Sequence, residues 1–105
     1  MTTLVYLPSF EADALDIWSH VARDNPAAAD RLIEALYARC LILEDHPEAG
    51  PRRVDIAAEC RQLVEGPVLI LYRLSGRRVE LVRALYRGRE LTPGLFDPTS
   101  DPEGH

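Results

Sequence analysis

The sequence contains no lysine: all twelve of its basic residues are arginine. Arginine offers a planar fork for carboxylate or phosphate but stays protonated and almost never acts as a base. A GC-rich coding sequence is enough to produce this absence. Cysteine is scarce, with only Cys40 and Cys60. Neither has a second Cys or a His at metal-ligand spacing, so no metal centre is expected. A chain of 105 residues builds a core without a disulfide, so two buried free thiols are expected. No apolar run approaches the ~18–20 residues of a membrane span. The start, Met1-Thr2-Thr3-Leu4, lacks the basic-then-apolar pattern of a signal peptide, so a cytoplasmic protein without a membrane partner is expected. Glycine-rich phosphate loops, an HExxH pair, Ser-His-Asp sets, Cys-His nucleophiles and internal repeats are also missing, and no cofactor is implied.

What is present is an uneven charge. The net charge is −5. Residues 1–49 hold three Arg and nine acids, residues 50–96 hold nine Arg and five acids, and residues 97–105 hold three acids and no base. A basic stretch of this kind is a footprint for an anionic partner, either nucleic acid or an acidic protein surface.

Apolar periodicity gives the elements. Thr3 to Leu7 is a short β-prone run closed by Pro8. Ser9 reads as an N-cap, and Phe10, Ala14, Ile17, Trp18, Val21 and Ala22 form one helical stripe over about residues 9–24. Asn25-Pro26 ends that helix and caps the next, over about 26–45, with Ala29, Leu32, Ile33, Leu36, Cys40 and Leu43 inward. With almost no linker, the two helices must fold back as a hairpin. His46-Pro47-Glu48-Ala49-Gly50-Pro51 breaks the helical half. Three strands follow: about Cys60 to Glu65, then Val68 to Leu74, then Val79 to Tyr86, with turns at Gly66-Pro67 and Ser75-Gly76. Strict alternation in the last strand puts Val79, Leu81, Arg83 and Leu85 on one face and Glu80, Val82, Ala84 and Tyr86 on the other. The expected fold is α+β, in the order βααβββ, with the helical hairpin on one face of a mostly antiparallel sheet. The other face would be open to a partner. Residues 1–96 form the domain and 97–105 an acidic, flexible tail.

Asp16-Ile17-Trp18 with Ala22-Arg23-Asp24-Asn25-Pro26-Ala27-Ala28-Ala29 resembles the helical hairpin of ParE-like toxins, of the ParE/RelE toxin–antitoxin superfamily. His46-Pro47-Glu48-Ala49-Gly50 resembles their break after the second helix. Leu71-Tyr72-Arg73, Val79 to Leu85 and Gly88-Arg89-Glu90-Leu91 resemble their last hairpin and exit, so the resemblance spans about residues 3–96. It implies an antitoxin whose extended or helical tail wraps and blocks the toxin in a hetero-oligomer. Two targets share the fold, because ParE-like members poison DNA gyrase and RelE-like members cut mRNA on the ribosome. Many ParE-like chains carry a His after the last strand where this one has Tyr86.

For metal-independent RNA cleavage the candidates are Arg61, Arg83 and Arg89 as charge stabilisers and Tyr86 as proton carrier, although a phenol is a poor base at neutral pH. For antitoxin or target binding they are Arg52, Arg53, Arg61, Arg73, Arg83, Tyr86, Arg87 and Arg89. Arg73 and Arg83 lie inside strands and either pair with acids or present an Arg-rich sheet face to partner carboxylates. Glu80 and Glu90 read as solvated or Arg-paired, Trp18 and Tyr37 as packing residues, and His20 and His46 as without chemistry. The thin catalytic set and negative net charge favour a gyrase inhibitor that is not an enzyme, with the endoribonuclease as the alternative.

Overall fold

A computed structural model describes residues 2–87 and 93–96. The elements are strand β1 (Thr3–Tyr6), helices α1 (Pro8–Ala22) and α2 (Pro26–Cys40), and strands β2 (Arg61–Glu65), β3 (Val68–Ser75) and β4 (Arg78–Tyr86). Single 3-10 turns at Leu41–Glu44 and Pro93–Phe96 complete the described chain. The sheet order is β1-β4-β3-β2. β1 runs parallel to β4, and the other neighbours are antiparallel.

Helix α1 is capped two residues earlier than capping chemistry suggests. Pro8 takes its first turn and Leu7 stands at the cap without a side-chain bond, since proline's missing N–H costs nothing there. Ser9, expected as the cap, is instead buried inside the helix and donates its hydroxyl to the Val82 carbonyl at 2.6 Å. Asn25 does cap α2, accepting from the Ala28 N–H at 3.0 Å. α2 is shorter than its apolar stripe, because residues 41–44 tighten into a 3-10 turn that keeps Leu43 buried.

The alternation expected of β4 fails at its centre. Leu71 pairs with Arg83 but Tyr72 pairs with Leu81, so Val82 is an extra residue, a β-bulge. A bulge moves every later side chain to the opposite face. Ala84 and Tyr86 therefore join Val79 and Leu81 against the helices, with Phe10, Ile17, Leu36, Cys40, Ile70 and Tyr72. Val82 and Leu85 join Leu71 on the far face. That far face is not open: Ile56 and Cys60 from the preceding loop, with Leu95 and Phe96, cover it with a second apolar cluster. Both cysteines are free and buried, as expected. No helix among the described residues is long and apolar enough to cross a membrane.

Candidate functional site

β1 pairs with β4 only over Arg78 to Leu81 and then turns into α1. The helix thus lies across the second half of β4, and its buried face supplies what a neighbouring strand would have supplied. Ser9 and Asp13, one helical turn apart, satisfy the Val82 carbonyl and the Ala84 N–H, the latter at 2.9 Å. Asp13 also takes both forks of Arg83, at 2.6 and 2.9 Å, and the third Arg83 contact is the Leu95 carbonyl at 3.1 Å. The two side chains are 6% and 7% exposed, so this is a buried, bidentate ion pair in which each side-chain nitrogen and oxygen has a hydrogen-bond partner.

Beyond that pair, α1 and the end of β4 enclose a cleft of ≈ 420 Å³ lined by Asp13, Asp16, Ile17, His20, Ala84, Tyr86 and Arg87. The His20 imidazole stands edge-on to the Tyr86 ring, centroids 5.5 Å apart. The Arg87 guanidinium carbon lies 5.6 Å from the centre of the same ring, within cation–π range. Arg87 adopts a positive φ of 22° as the chain leaves the strand. Ile17 and Ala84 form an apolar floor and the polar groups form the rim.

The structure disperses most of the basic residues proposed from the sequence. Arg83 is no surface residue, and its place on an open Arg-rich face is corrected by its burial against Asp13. Arg73 and Arg78 both bind the Glu80 carboxylate at 2.7 Å. Arg61 donates to the Gly50 and Glu48 carbonyls at 2.9 and 3.3 Å, with the Glu48 carboxylate 3.6 Å away. Arg53 binds Asp55 at 2.8 Å and Gln62 at 2.6 Å. Its hydrogen bonds hold the Asp55 carboxyl below the usual range, and Asp55 in turn raises the guanidinium. Arg52 is exposed and donates to the Ala58 carbonyl. Among the described residues of that set, only Tyr86 and Arg87 share the cleft. Arg89 and Glu90 lie outside the described residues, as does the tail. His20, read from the sequence as without chemistry, also lines this cleft. The signal was Asp13, Asp16, Ile17 and His20 at successive helical steps, three of them polar, on a face that also had to pack. No group of three His, Cys, Asp or Glu able to hold a metal gathers among the described residues.

A helical hairpin on a four-stranded mixed sheet, with a cleft where the first helix crosses the last strand, defines a small α+β protein. The match to known families makes this particular. The chain belongs to the family described as ParE toxin of type II toxin-antitoxin system, parDE, which it matches over residues 4–91. Among solved structures, the chain is similar in fold to one titled "Chromosomal ParDE TA system from P. aeruginosa". The TM-score is 0.73 at 20% identity, covering 83% of this chain and 97% of that one. A search of curated proteins found no match.

Proposed function

We propose that this chain is the toxin of a type II pair, held inactive by a cognate antitoxin in a hetero-oligomer, and that it arrests growth by inhibiting DNA gyrase through protein–protein contact. The observation behind this reading is the commitment of the arginines. Metal-independent RNA cleavage needs a free cation beside the phosphorane. Two of the groups that would fill that role, Arg61 and Arg83, are bonded to the protein's own carbonyls and to Asp13. The net charge of −5 also opposes tracking along a polyanion. Purified protein titrated into a gyrase assay is expected to block supercoiling or trap cleaved DNA, with relief on adding the protein encoded beside it. Saturating toxin with unchanged supercoiling and cleavage would reject gyrase as the target.

One observation favours a second reading, a ribosome-dependent mRNA endoribonuclease. The cleft gathers an imidazole, a phenol and a guanidinium, the group types such chemistry uses. New mRNA ends mapped after induction, lost in Tyr86→Phe, would support it over gyrase.

A further inference from the structure

We propose that the sheet face turned away from the helices, at its β3–β4 turn end, is a contact site for the phosphodiester backbone of duplex DNA. The placement follows from register. Leu4, Leu74 and Val79 pack toward the helices, and successive side chains in a strand point to opposite faces. Their neighbours Thr3, Val5, Arg73, Ser75, Arg78 and Glu80 share the far face, all on the turn side of the bulge at Val82. Pairing sets them in two rows across β1, β4 and β3. One row is Thr3, Arg78 and Ser75, and the next is Val5, Glu80 and Arg73. The Glu80 side chain is 9% exposed and accepts through Oε1 from the Arg73 Nε and through Oε2 from an Arg78 terminal nitrogen, both at 2.7 Å. One carboxylate thus orients two guanidinium groups while neutralising the charge of only one. Among the described residues these are the only side-chain hydrogen bonds of Arg73 and Arg78, and each guanidinium has five N–H donors. Thr3, Ser75 and Arg78 are exposed.

The chemistry of the patch defines the occupant. Arginine forks beside serine and threonine hydroxyls are the side chains that contact phosphate oxygens along a duplex. Arg77, on the same turn, instead lines a hollow with Thr2, Glu44 and Asp45 and stands apart from the two rows. A protein interface needs an apolar centre, and the large exposed apolar residues, Leu15, Trp18, Leu41, Val54 and Val64, lie on the helical hairpin, the loop after it and β2. Single strands are held by bases stacked on aromatic rings, and neither row contains one. The acidic helices cover the other face of the sheet, so the negative net charge of the chain is turned away from this patch. The contact is short and independent of sequence. With roughly one to two phosphates engaged, log affinity should fall against log salt at a slope of about −1 to −2. This inference stands on the surface itself and not on the choice of target above, which the gyrase assay decides separately.

The test uses the full chain and a short fluorescent DNA duplex as the probe, with anisotropy read at low and moderate salt. The variants are Arg78→Glu, Arg78→Ala and the control Arg31→Glu. Arg31 is exposed on α2, so its reversal changes the net charge as much as Arg78→Glu but on the other layer. The expected result is saturable binding with the salt slope given above, weakened about tenfold or more by Arg78→Glu, less by Arg78→Ala, and unchanged by Arg31→Glu. Circular dichroism checks that each variant folds. Should Arg78→Glu fail to fold beside Glu80, Arg78→Ala decides. No binding by the wild-type chain at low salt overturns the site. Equal losses in Arg78→Glu and Arg31→Glu also overturn it, because they assign the binding to net charge alone. Tighter binding of a single strand of the same sequence overturns the duplex assignment. Unchanged DNA affinity in Arg78→Ala, with weaker binding of the protein encoded beside this chain, makes the face a protein interface and overturns the proposal as well.

Discussion

Asp13 is almost fully buried and accepts from Arg83 twice and from the Ala84 backbone once. Removing one member of such a pair strands the other charge away from water, which costs about 3–5 kcal/mol. Asp13→Ala and Arg83→Ala should each lower unfolding free energy by that amount in urea titrations. Asp13→Leu combined with Arg83→Met should recover most of it, because desolvation of both charges disappears together. A double variant no more stable than the singles would mean that the Ala84 N–H and Leu95 carbonyl, not the charges, carry the cost. The sequence showed that Arg83 sat inside a strand and would either pair or be presented. It could not show which, because the bulge at Val82 that reorients the strand has no glycine or proline to mark it. The pairing partner lies 70 residues away, a distance no local pattern encodes.

Element order was legible throughout, since two amphipathic helices and four short strands have different apolar periods. Element ends were less so. Backbone bonds fixed them, as at Leu41, where a 3-10 turn replaces the last helical turn. The more consequential unread feature is how the sheet edges are closed. On β2 the Gln62 N–H goes to the Pro51 carbonyl, and the Val64 carbonyl accepts from Arg39 at 3.2 Å. On the other margin the Thr2 N–H, just before β1, donates to the Glu44 carbonyl. The loop covering β2 is pinned by Tyr72, whose hydroxyl accepts from the Gly50 N–H at 2.8 Å and donates to the Pro47 carbonyl at 3.0 Å. Burial raises that phenol above its ordinary value, with the Gly50 N–H pulling the other way. Gly50 is required by contact, since a Cβ there would run into the Gln62 carbonyl. Tyr72→Phe leaves the buried Gly50 N–H unpaired, so a loss of about 1–3 kcal/mol is expected. Faster amide exchange at Gln62 should accompany it. An unchanged Gln62 amide would show that the loop holds its place without the phenol.

At the scale of the whole molecule, the acidic helical half lies on the basic half through apolar contact, the buried Asp13–Arg83 pair and hydrogen bonds such as Ser9 to Val82, and burial shifts several titratable groups. Tyr6, Phe10 and Tyr37 meet at centroid distances of 5.0 to 5.8 Å beside the buried Cys40. Burial pushes the Cys40 thiol up to about 12. Burial, with the charges of Cys40, Tyr37 and Glu44 adding, pushes the Tyr6 phenol up to about 12. Cys60 on the far face rises to about 11, again chiefly through burial. Below the unfolded values of 9.0 for a thiol and 10.0 for tyrosine, all three groups are protonated in both states and stability is flat with respect to them. Above those values the unfolded chain releases protons that the folded chain retains, so the folded state binds more protons and its stability must fall as pH rises. The stability held by the protonated groups is fully present below about 9 and is lost as pH climbs through about 11 to 12. Urea midpoints measured between about pH 8 and pH 11 should therefore decline, and Cys40→Ala should decline less steeply than the parent. Equal slopes in the two proteins would show that Cys40 ionises in the folded state as it does in the unfolded chain. That would require water to reach the helix–sheet core at a point the packing closes.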